Sequence, residues 1–160
     1  MAAILITGAN QGIGYHLTVA LLRQGHQVAV LDWETHHLAA LQNTFPTQLA
    51  YYPVDVRQGE ALQAAVAAAQ AWQGTPEVVI HNACCCPFGG VEDLDLGQVQ
   101  AAFATNYCGA LQLVRCVGPP PARRAGAGAD ASPSSGVGIT GFPGLSATPH
   151  QGAWRPWPSA

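Results

Sequence analysis

The chain has 160 residues, of which 49% are hydrophobic and 9% are charged, and its formal net charge is −3. This length suits one domain, and the few basic residues exclude the basic patches with which proteins bind nucleic acids or anionic membranes. No apolar run approaches the roughly 18–20 residues of a membrane span, and no basic segment precedes the first apolar run as in a signal peptide. We therefore expect a cytoplasmic chain without a nucleic-acid or membrane partner.

Short apolar runs alternate with amphipathic stretches over residues 1–116, a pattern typical of parallel βα units. The predicted strands lie at about Ala2–Thr7, Gln27–Leu31, Leu49–Pro53 and Val78–His81. The predicted helices lie at about Gly12–Gln24, Glu34–Thr44, Gln58–Trp72 and Leu96–Cys116. Right-handed crossovers then give a doubly wound, Rossmann-like α/β sheet with strand order 3-2-1-4 and a ligand site at the carboxyl ends of its strands.

The spacing of apolar residues also predicts which side of a helix faces the sheet. In the first helix the expected inward residues are Ile13, Leu17, Ala20 and Leu21. In the last helix they are Val99, Phe103, Leu111 and Val114.

The composition changes at Val117. Residues 117–160 hold eight of the 12 prolines and eight of the 18 glycines, and Pro119–Pro121 ends any helix. A doubly wound sheet needs a fifth strand here, and no strand pattern is visible. We expect a dinucleotide-binding domain over 1–116 and an irregular tail over 117–160, so that the fifth strand and later elements are lost or disordered.

Five cysteines occur in the chain, without a C-x-x-C pair: Cys84, Cys85, Cys86, Cys108 and Cys116. Three consecutive cysteines cannot easily direct their side chains onto one tetrahedral metal, and no suitably spaced histidine completes a site. We expect no metal site and predict that the thiols are reduced and mostly buried.

The strongest local pattern is Thr7-Gly8-Ala9-Asn10-Gln11-Gly12-Ile13-Gly14, directly after the first strand. A glycine-rich turn between a strand and a helix lets the backbone approach a diphosphate. The free N–H groups and the dipole of the helix N-terminus favour such an anion. Three spaced glycines alone are weak evidence, since they also occur in ordinary turns.

Four further matches at suitable spacing make the chain resemble the short-chain dehydrogenase/reductase family over roughly residues 1–116. They are Asp32 after the second strand, Asp55-Val56 after the third, His81-Asn82-Ala83 at the end of the fourth, and Thr105-Asn106-Tyr107 in the last helix. The resemblance implies an NAD(P)-dependent oxidoreductase of small alcohols or carbonyl compounds, and it allows a homo-oligomer. The cofactor-binding residues that it implies are Gly8, Asn10, Gln11, Gly12, Ile13, Gly14, Asp32, Asp55, Val56, Asn82 and Ala83.

Some of these residues have a simpler interpretation. Asp32 could merely end a strand, and Asp55 could cap the third helix. Asn106 could bond to backbone at a helix kink, which is also its structural role in the family. His81 and Cys84 depart from the family's Asn-Asn-Ala-Gly pattern, and Cys84 adds a side chain where the family has backbone only.

Charge decides which cofactor we expect. A 2′-phosphate beside Asp32 would meet like-charge repulsion, whereas a free 2′-hydroxyl would donate a hydrogen bond to it. Asn10 and Gln11 bring no positive charge into the turn. We therefore predict NAD in preference to NADP.

The catalytic half departs from the family more strongly. The resemblance places the substrate-holding serine at Ser135 and makes Asn106 the fourth member of the family's tetrad. Counting on from Ser135 at the family's spacing, its tyrosine and lysine positions hold Thr148 and Gly152. The chain has no lysine, and no tyrosine follows Ser135. We therefore predict that this chain is catalytically impaired.

A family-like island over residues 134–147 lies between two unrelated stretches rich in Pro, Gly, Ala and Arg. Our interpretation is that the reading frame shifts twice in a gene rich in G and C. The alternative is a natural, truncated relative with a divergent tail. Three functional hypotheses remain: a damaged oxidoreductase, a non-catalytic NAD-binding module, and a chain too incomplete to be stable as a monomer.

Overall fold

The computed structural model describes residues 1–90 and 92–118 and, by backbone alone, residues 129–131. Its sheet is parallel and consists of β1 (Ala3–Thr7), β2 (Gln27–Asp32), β3 (Leu49–Pro53), β4 (Val78–His81) and β5 (Ala129–Ala131). The order across the sheet is β3-β2-β1-β4-β5. The predicted α/β fold and the order of the first four strands are therefore confirmed.

The helices lie between these strands, as parallel crossovers require. They are α1 (Gly12–Arg23), α2 (His36–Thr44), α3 (Gly59–Gln73), α4 (Leu96–Phe103) and α5 (Gly109–Val117). A π-helical turn, Ala104–Cys108, joins α4 to α5 within what the sequence predicted as one long helix. The predicted positions of the helices are correct to within two residues.

The expectation that the fifth strand is lost was wrong. The backbone of Ala129–Ala131 pairs in parallel with β4, and Val79 faces Asp130 in the register. The segment Ala-Asp-Ala has neither the β-branched residues nor the alternation that mark a strand in a sequence. β5 pairs with β4 through backbone N–H and C=O groups, and every residue other than proline has both. The predicted loss of later elements and the family-like island over residues 134–147 lie outside the described residues.

Two apolar clusters lie on opposite faces of the sheet because neighbouring residues of a strand point to opposite sides. Leu5 packs with residues of α3 and α5 on one face, including Leu62 and Leu113. Ile6 packs on the other face with residues of α1 and α2, including Leu22 and Leu38. These layers fix the carboxyl ends of β1–β4 at one edge of the domain.

The predicted inward faces of two helices need correction. In α4 and α5 the buried residues are the small Ala102, Gly109 and Ala110, together with Leu113. Three of the predicted inward residues are instead exposed: Phe103, Leu111 and Val114. Small residues let this helix approach its neighbours closely, and the π-helical turn shifts the helical register. In α1 the prediction holds for Leu17 and Leu21, which are half-buried against the Ile6 cluster, but not for Ile13 and Ala20, which are exposed. The buried residues of α1 are Gly14, Thr18 and Leu22.

Candidate functional site

A cavity of about 380 Å³ opens where the first four strands end. Eight of the predicted cofactor-binding residues line it: Gly8, Asn10, Gln11, Asp32, Asp55, Val56, Asn82 and Ala83. The other three, Gly12, Ile13 and Gly14, directly follow Gln11 and form the start of α1. The structure thus brings the predicted set together at the predicted edge of the sheet.

Two glycines of the turn allow the loops of this edge to touch. Gly8 has φ +67°, and a Cβ added there would lie 2.5 Å from Cα of Ala83. A Cβ added to Gly14 would lie 2.5 Å from Nδ2 of Asn82 and would also strike the carbonyl oxygen of Gly8. Only glycine fits either position, because each is filled by neighbouring backbone or by a bonded amide.

Gly12 differs from these two because the space around it is open. It has φ +60°, and a Cβ added there would meet nothing within 4 Å. No side chain caps the N-terminus of α1, and its first turn contains no acidic residue. An uncapped helix N-terminus beside an open glycine suits the oxygens of a diphosphate.

Asn10 is used largely inside the fold. Its side chain is 1% exposed, and its Oδ1 accepts a 3.0 Å hydrogen bond from the backbone N–H of His37. Its Nδ2 lies 3.3 Å from Nδ1 of His36. Asn10 therefore ties the glycine-rich turn to the start of α2 while it lines the cavity.

Asp32 does more than end β2. Its Oδ2 accepts a 2.7 Å hydrogen bond from the backbone N–H of Asn10, and its Oδ1 accepts one of 3.1 Å from that of Glu34. The carboxylate is 7% exposed and lines the cavity. Each oxygen keeps a second lone-pair direction, so the group could also accept hydrogen bonds from hydroxyls of a ligand.

The alternative that Asp55 caps the third helix was wrong. Helix α3 begins at Gly59, and its N-cap is Gln58. The carboxylate of Asp55 instead accepts hydrogen bonds from Nε of Arg57, at 3.0 and 2.9 Å, and from its Nη2 at 2.5 Å. The hydrogen bond from the Arg57 side chain lowers the pKa of Asp55 below its ordinary value.

The residues after β4 are held against the glycine-rich turn. Asn82 Nδ2 donates a 2.5 Å hydrogen bond to the carbonyl oxygen of Gly8. The backbone N–H groups of Asn82 and Ala83 each donate to Thr7 Oγ1 at 3.2 Å. That hydroxyl also lies 3.0 Å from Nδ1 of His81. His81 is 6% exposed, and burial lowers its pKa to about 4.

The prediction that the cysteines are mostly buried was wrong. Cys84 and Cys86 are exposed, and the other three cysteines are half-buried. Cys84 lines the cavity, and partial burial, with smaller effects of Cys86 and Cys85, raises its pKa above the ordinary value. The cluster follows β4 as an open loop, so its thiols are not in the apolar core.

Asn106 lies in the π-helical turn and bonds to this loop in both directions. Its Oδ1 accepts a 2.7 Å hydrogen bond from the backbone N–H of Cys85, and its Nδ2 donates a 2.8 Å hydrogen bond to the carbonyl oxygen of Cys85. The predicted role at a helix kink fits this geometry. The remaining positions of the predicted catalytic set lie outside the described residues: Ser135, Thr148 and Gly152.

Sequence reasoning missed Trp33 and Arg57 as residues that line the cavity, and it named Thr105 only as part of a motif, without placing it in the lining. Trp33 is 70% exposed and directly follows Asp32, so its position after a strand end was the available signal. Arg57 was marked only by lying two residues from Asp55. Thr105 lies in the π-helical turn, at the kink that the sequence analysis considered for Asn106.

Neither a metal site nor a membrane-spanning helix was found in the described part of the chain. Among residues 1–90 and 92–118, no group of three or more His, Cys, Asp or Glu side chains could hold a metal ion. The helices of this same part include none that is both long enough and apolar enough to cross a membrane.

A parallel sheet in this order, with a glycine-rich turn after β1, defines a Rossmann-type α/β protein. The family model described as short chain dehydrogenase matches residues 2–147. The chain therefore belongs to the short-chain dehydrogenase family, whose members use nicotinamide cofactors. A short-chain dehydrogenase from Streptomyces avermitilis has a similar structure, with a TM-score of 0.87 and 27% sequence identity over 96% of this chain and 57% of that one.

Three curated relatives are each 30% identical to the chain. They are ketoacyl reductase HetN from a Nostoc species, 2-(S)-hydroxypropyl-CoM dehydrogenase 3 from Xanthobacter autotrophicus and retinol dehydrogenase 8 from Bos taurus. The matches cover 72%, 66% and 76% of this chain, respectively. They cover only 42%, 43% and 40% of the relatives, so the chain spans less than half of their length.

Proposed function

We propose that the cavity binds NAD(H), and that the gene encodes an NAD-dependent oxidoreductase of alcohols or carbonyl compounds. The observation that carries this proposal is the convergence of the glycine-rich turn, Asp32 and the Asn82–Ala83 turn on one cavity. The names of the relatives support the substrate class, since they describe a ketoacyl reductase and dehydrogenases of a hydroxypropyl compound and of retinol.

The residues present fit a dinucleotide. The open N-terminus of α1 at Gly12 and Ile13 would hold the diphosphate, and Asp32 the adenosine ribose. Asp55 and Val56 would contact the adenine, and the Asn82–Ala83 turn would hold the nicotinamide half. When bound, the nicotinamide would supply or accept the hydride, and the protein supplies binding and orientation.

The preference for NAD over NADP rests on the surroundings of Asp32. Its carboxylate is almost fully buried and accepts hydrogen bonds from two backbone N–H groups, so its negative charge is fixed in place. A 2′-phosphate would meet this charge at close range, whereas a 2′-hydroxyl would donate a hydrogen bond to it. Arg57, a cation in the cavity lining, is already paired with Asp55.

Calorimetric titration with NADH and NADPH tests this proposal. We expect NADH to bind more tightly, and Asp32→Ala to weaken NADH by roughly tenfold to a hundredfold, as for a lost hydrogen bond to a charged group. NADPH binding should weaken less or improve. A matched control is Asp93→Ala, which removes an exposed carboxylate outside the cavity lining and should change neither affinity. Equal weakening of both cofactors would show a structural role for Asp32, and no binding by the unaltered chain would refute the proposal.

We further propose that this chain binds the cofactor without efficient turnover. Asn106 and Ser135 are present, but the chain contains no lysine, and Thr148 stands at the family's tyrosine position. A threonine hydroxyl is far less acidic than a tyrosine, and losing general acid–base catalysis typically costs about 10²–10⁴ in rate. A fast NAD-dependent oxidation by the purified chain that Ser135→Ala abolishes would contradict this.

The proposal also includes a dinucleotide-binding domain that ends at residue 116 and a shifted reading frame in the tail after it. Resequencing the DNA that encodes residues 116–134 and 147–160 tests it directly. A corrected frame with a tyrosine at position 148 and a lysine four codons on would support an intact enzyme. Confirmation of the present frame would support a non-catalytic NAD-binding module.

A further inference from the structure

The hydroxyl of Thr7 is shared by three partners beside the cavity. Its oxygen accepts the backbone N–H groups of Asn82 and Ala83, which can only donate. Two accepted hydrogen bonds occupy both lone pairs of a hydroxyl, and its single proton remains for a third partner. That partner is Nδ1 of His81 at 3.0 Å. His81 must therefore accept through Nδ1, and its neutral ring carries its proton on Nε2.

The surroundings of His81 favour this neutral form. The side chain is 6% exposed, and this burial lowers its pKa. Its Nε2 makes no hydrogen bond of ordinary geometry. An interaction with the backbone of Thr105 partly opposes the lowering of the pKa. From β1 the ring is faced by Thr7, which does not titrate. No charged side chain among the described residues contributes to the pKa of His81. The acidic residue of the neighbouring strand β5, Asp130, is described by its backbone only, which pairs with Val79.

The turn that Thr7 holds is a wall of the cavity. Ala83 lies directly against Gly8, and Asn82 donates a hydrogen bond to the carbonyl oxygen of Gly8. Both Asn82 and Ala83 line the cavity. The hydrogen bonds to Thr7 therefore act together with these contacts to hold the turn after β4 against the glycine-rich turn.

We propose that His81 is a pH-sensitive positioning residue, which keeps the Asn82–Ala83 turn closed on the cavity when neutral and releases it when protonated. A protonated ring has N–H groups at both nitrogens, so Nδ1 no longer accepts the Thr7 proton. The hydroxyl would then have to give up an Asn82 or Ala83 N–H to receive the new donor. As a regulation of the cofactor site, this inference rests on the proposed function.

The sign of the pH effect follows from linkage. The pKa of His81 is about 4 in the closed form and returns towards 6.5 once the ring is exposed. The closed form is therefore fully favoured above pH 6.5 and loses its advantage as the pH falls towards 4. In this window the ratio of closed to open turn should fall by about tenfold per pH unit, and by about 300-fold in all.

Amide hydrogen exchange measures this opening without any cofactor. After correction for intrinsic exchange, we expect protection of the Asn82 and Ala83 amides to fall about tenfold per unit between pH 6 and 4.5. The amide of Val30 in β2, an inner strand of the sheet, should remain better protected throughout. Exchange of the turn no faster than that of Val30 at every pH would overturn the proposal, because the turn would then open only when the whole domain unfolds.

Three variants separate positioning from mere structure. His81→Asn stays neutral and keeps an oxygen that can accept the Thr7 proton, so protection should become independent of pH. Thr7→Ser keeps the hydroxyl and should keep the pH dependence, whereas Thr7→Val should lower protection at all pH values. The same slope in His81→Asn as in the unaltered chain would overturn the proposal.

A spectroscopic test needs no variant. Nitrogen NMR of His81 at pH 7 should show the tautomer with the proton on Nε2, and a proton on Nδ1 would overturn the proposal. Affinity for NADH should fall between pH 7.5 and 5 in the unaltered chain and stay constant in His81→Asn. Failure to bind NADH at any pH would refute the proposed function alone, since amide exchange decides the role of His81 separately.

Discussion

At the scale of single residues, Gly8 and Gly25 have the same kind of backbone and different surroundings. Both have positive φ, +67° and +83°. A Cβ on Gly8 would overlap the backbone of Ala83, whereas a Cβ on Gly25 would meet nothing within 4 Å. Alanine variants of these two glycines therefore distinguish the cost of a left-handed backbone from the additional cost of forcing two loops apart.

We predict that Gly8→Ala lowers the free energy of unfolding by about 3 kcal/mol, as the sum of left-handed strain and overpacking. Gly25→Ala should lower it by only about 1 kcal/mol, from the backbone alone. Urea denaturation of the two variants measures both values. Similar losses in both would mean that the two loops do not touch as described.

The ion pair of Asp55 and Arg57 gives a second prediction at this scale. Because the Arg57 hydrogen bond lowers the pKa of Asp55, Arg57→Gln should raise that pKa towards its ordinary value. Carbon NMR titration of the Asp55 carboxyl measures this, and Arg23→Gln in the last turn of α1 serves as the control that should leave it unchanged. A Gln variant with an unshifted Asp55 pKa would contradict the pairing.

The sign of the corresponding stability effect can be stated. A lowered pKa in the folded state stabilises the protein above the unfolded value of about 3.9, and this contribution is lost as the pH falls through the folded value. The pair is partly exposed, so its contribution is at most about 1 kcal/mol. This loss falls below the pH window in which His81 titrates, so the two groups can be told apart.

At the scale of elements, Asn106 connects the π-helical turn to the cysteine loop. We predict that Asn106→Ala lowers the free energy of unfolding by about 1–3 kcal/mol, because two hydrogen bonds to Cys85 are lost. The amide of Cys85 should lose its protection from hydrogen exchange. Gln100→Ala on the exposed side of α4 is the control and should change neither quantity by much. Unchanged exchange at Cys85 in Asn106→Ala would refute this connection.

The sequence was a good guide to elements whose residues repeat a pattern and a poor one where geometry depends on distant contacts. The apolar runs of β1–β4 and the glycine-rich turn predicted the sheet and the position of the cavity. The three-residue strand β5 has no such pattern, and its pairing depends on β4. Arg57 lies in an ion pair and Thr105 in a π-helical turn, and local sequence does not specify that either residue lines the cavity.

At the scale of the whole molecule, the face of α4 and α5 that was expected inside lies outside. Exposed apolar residues follow each other at helical spacing along it: Phe103, Tyr107, Leu111 and Val114. The rings of Phe103 and Tyr107 stack at 5.0 Å. Small residues on the opposite side lie next to the sheet, and a stripe of Phe103, Leu111 and Val114 is left exposed in the described part of the chain.

We predict that the chain self-associates through this stripe, because a contiguous exposed apolar surface is covered at little cost by a second copy. Sedimentation equilibrium should show a mass that rises with concentration. The double variant Leu111→Glu and Val114→Glu should shift the chain to a monomer, since it places like charges at the contact. Phe88→Glu, at an even more exposed apolar residue outside the helices, should not. If the unaltered chain is monomeric at every concentration, or if Phe88→Glu dissociates it equally well, the stripe is not the contact.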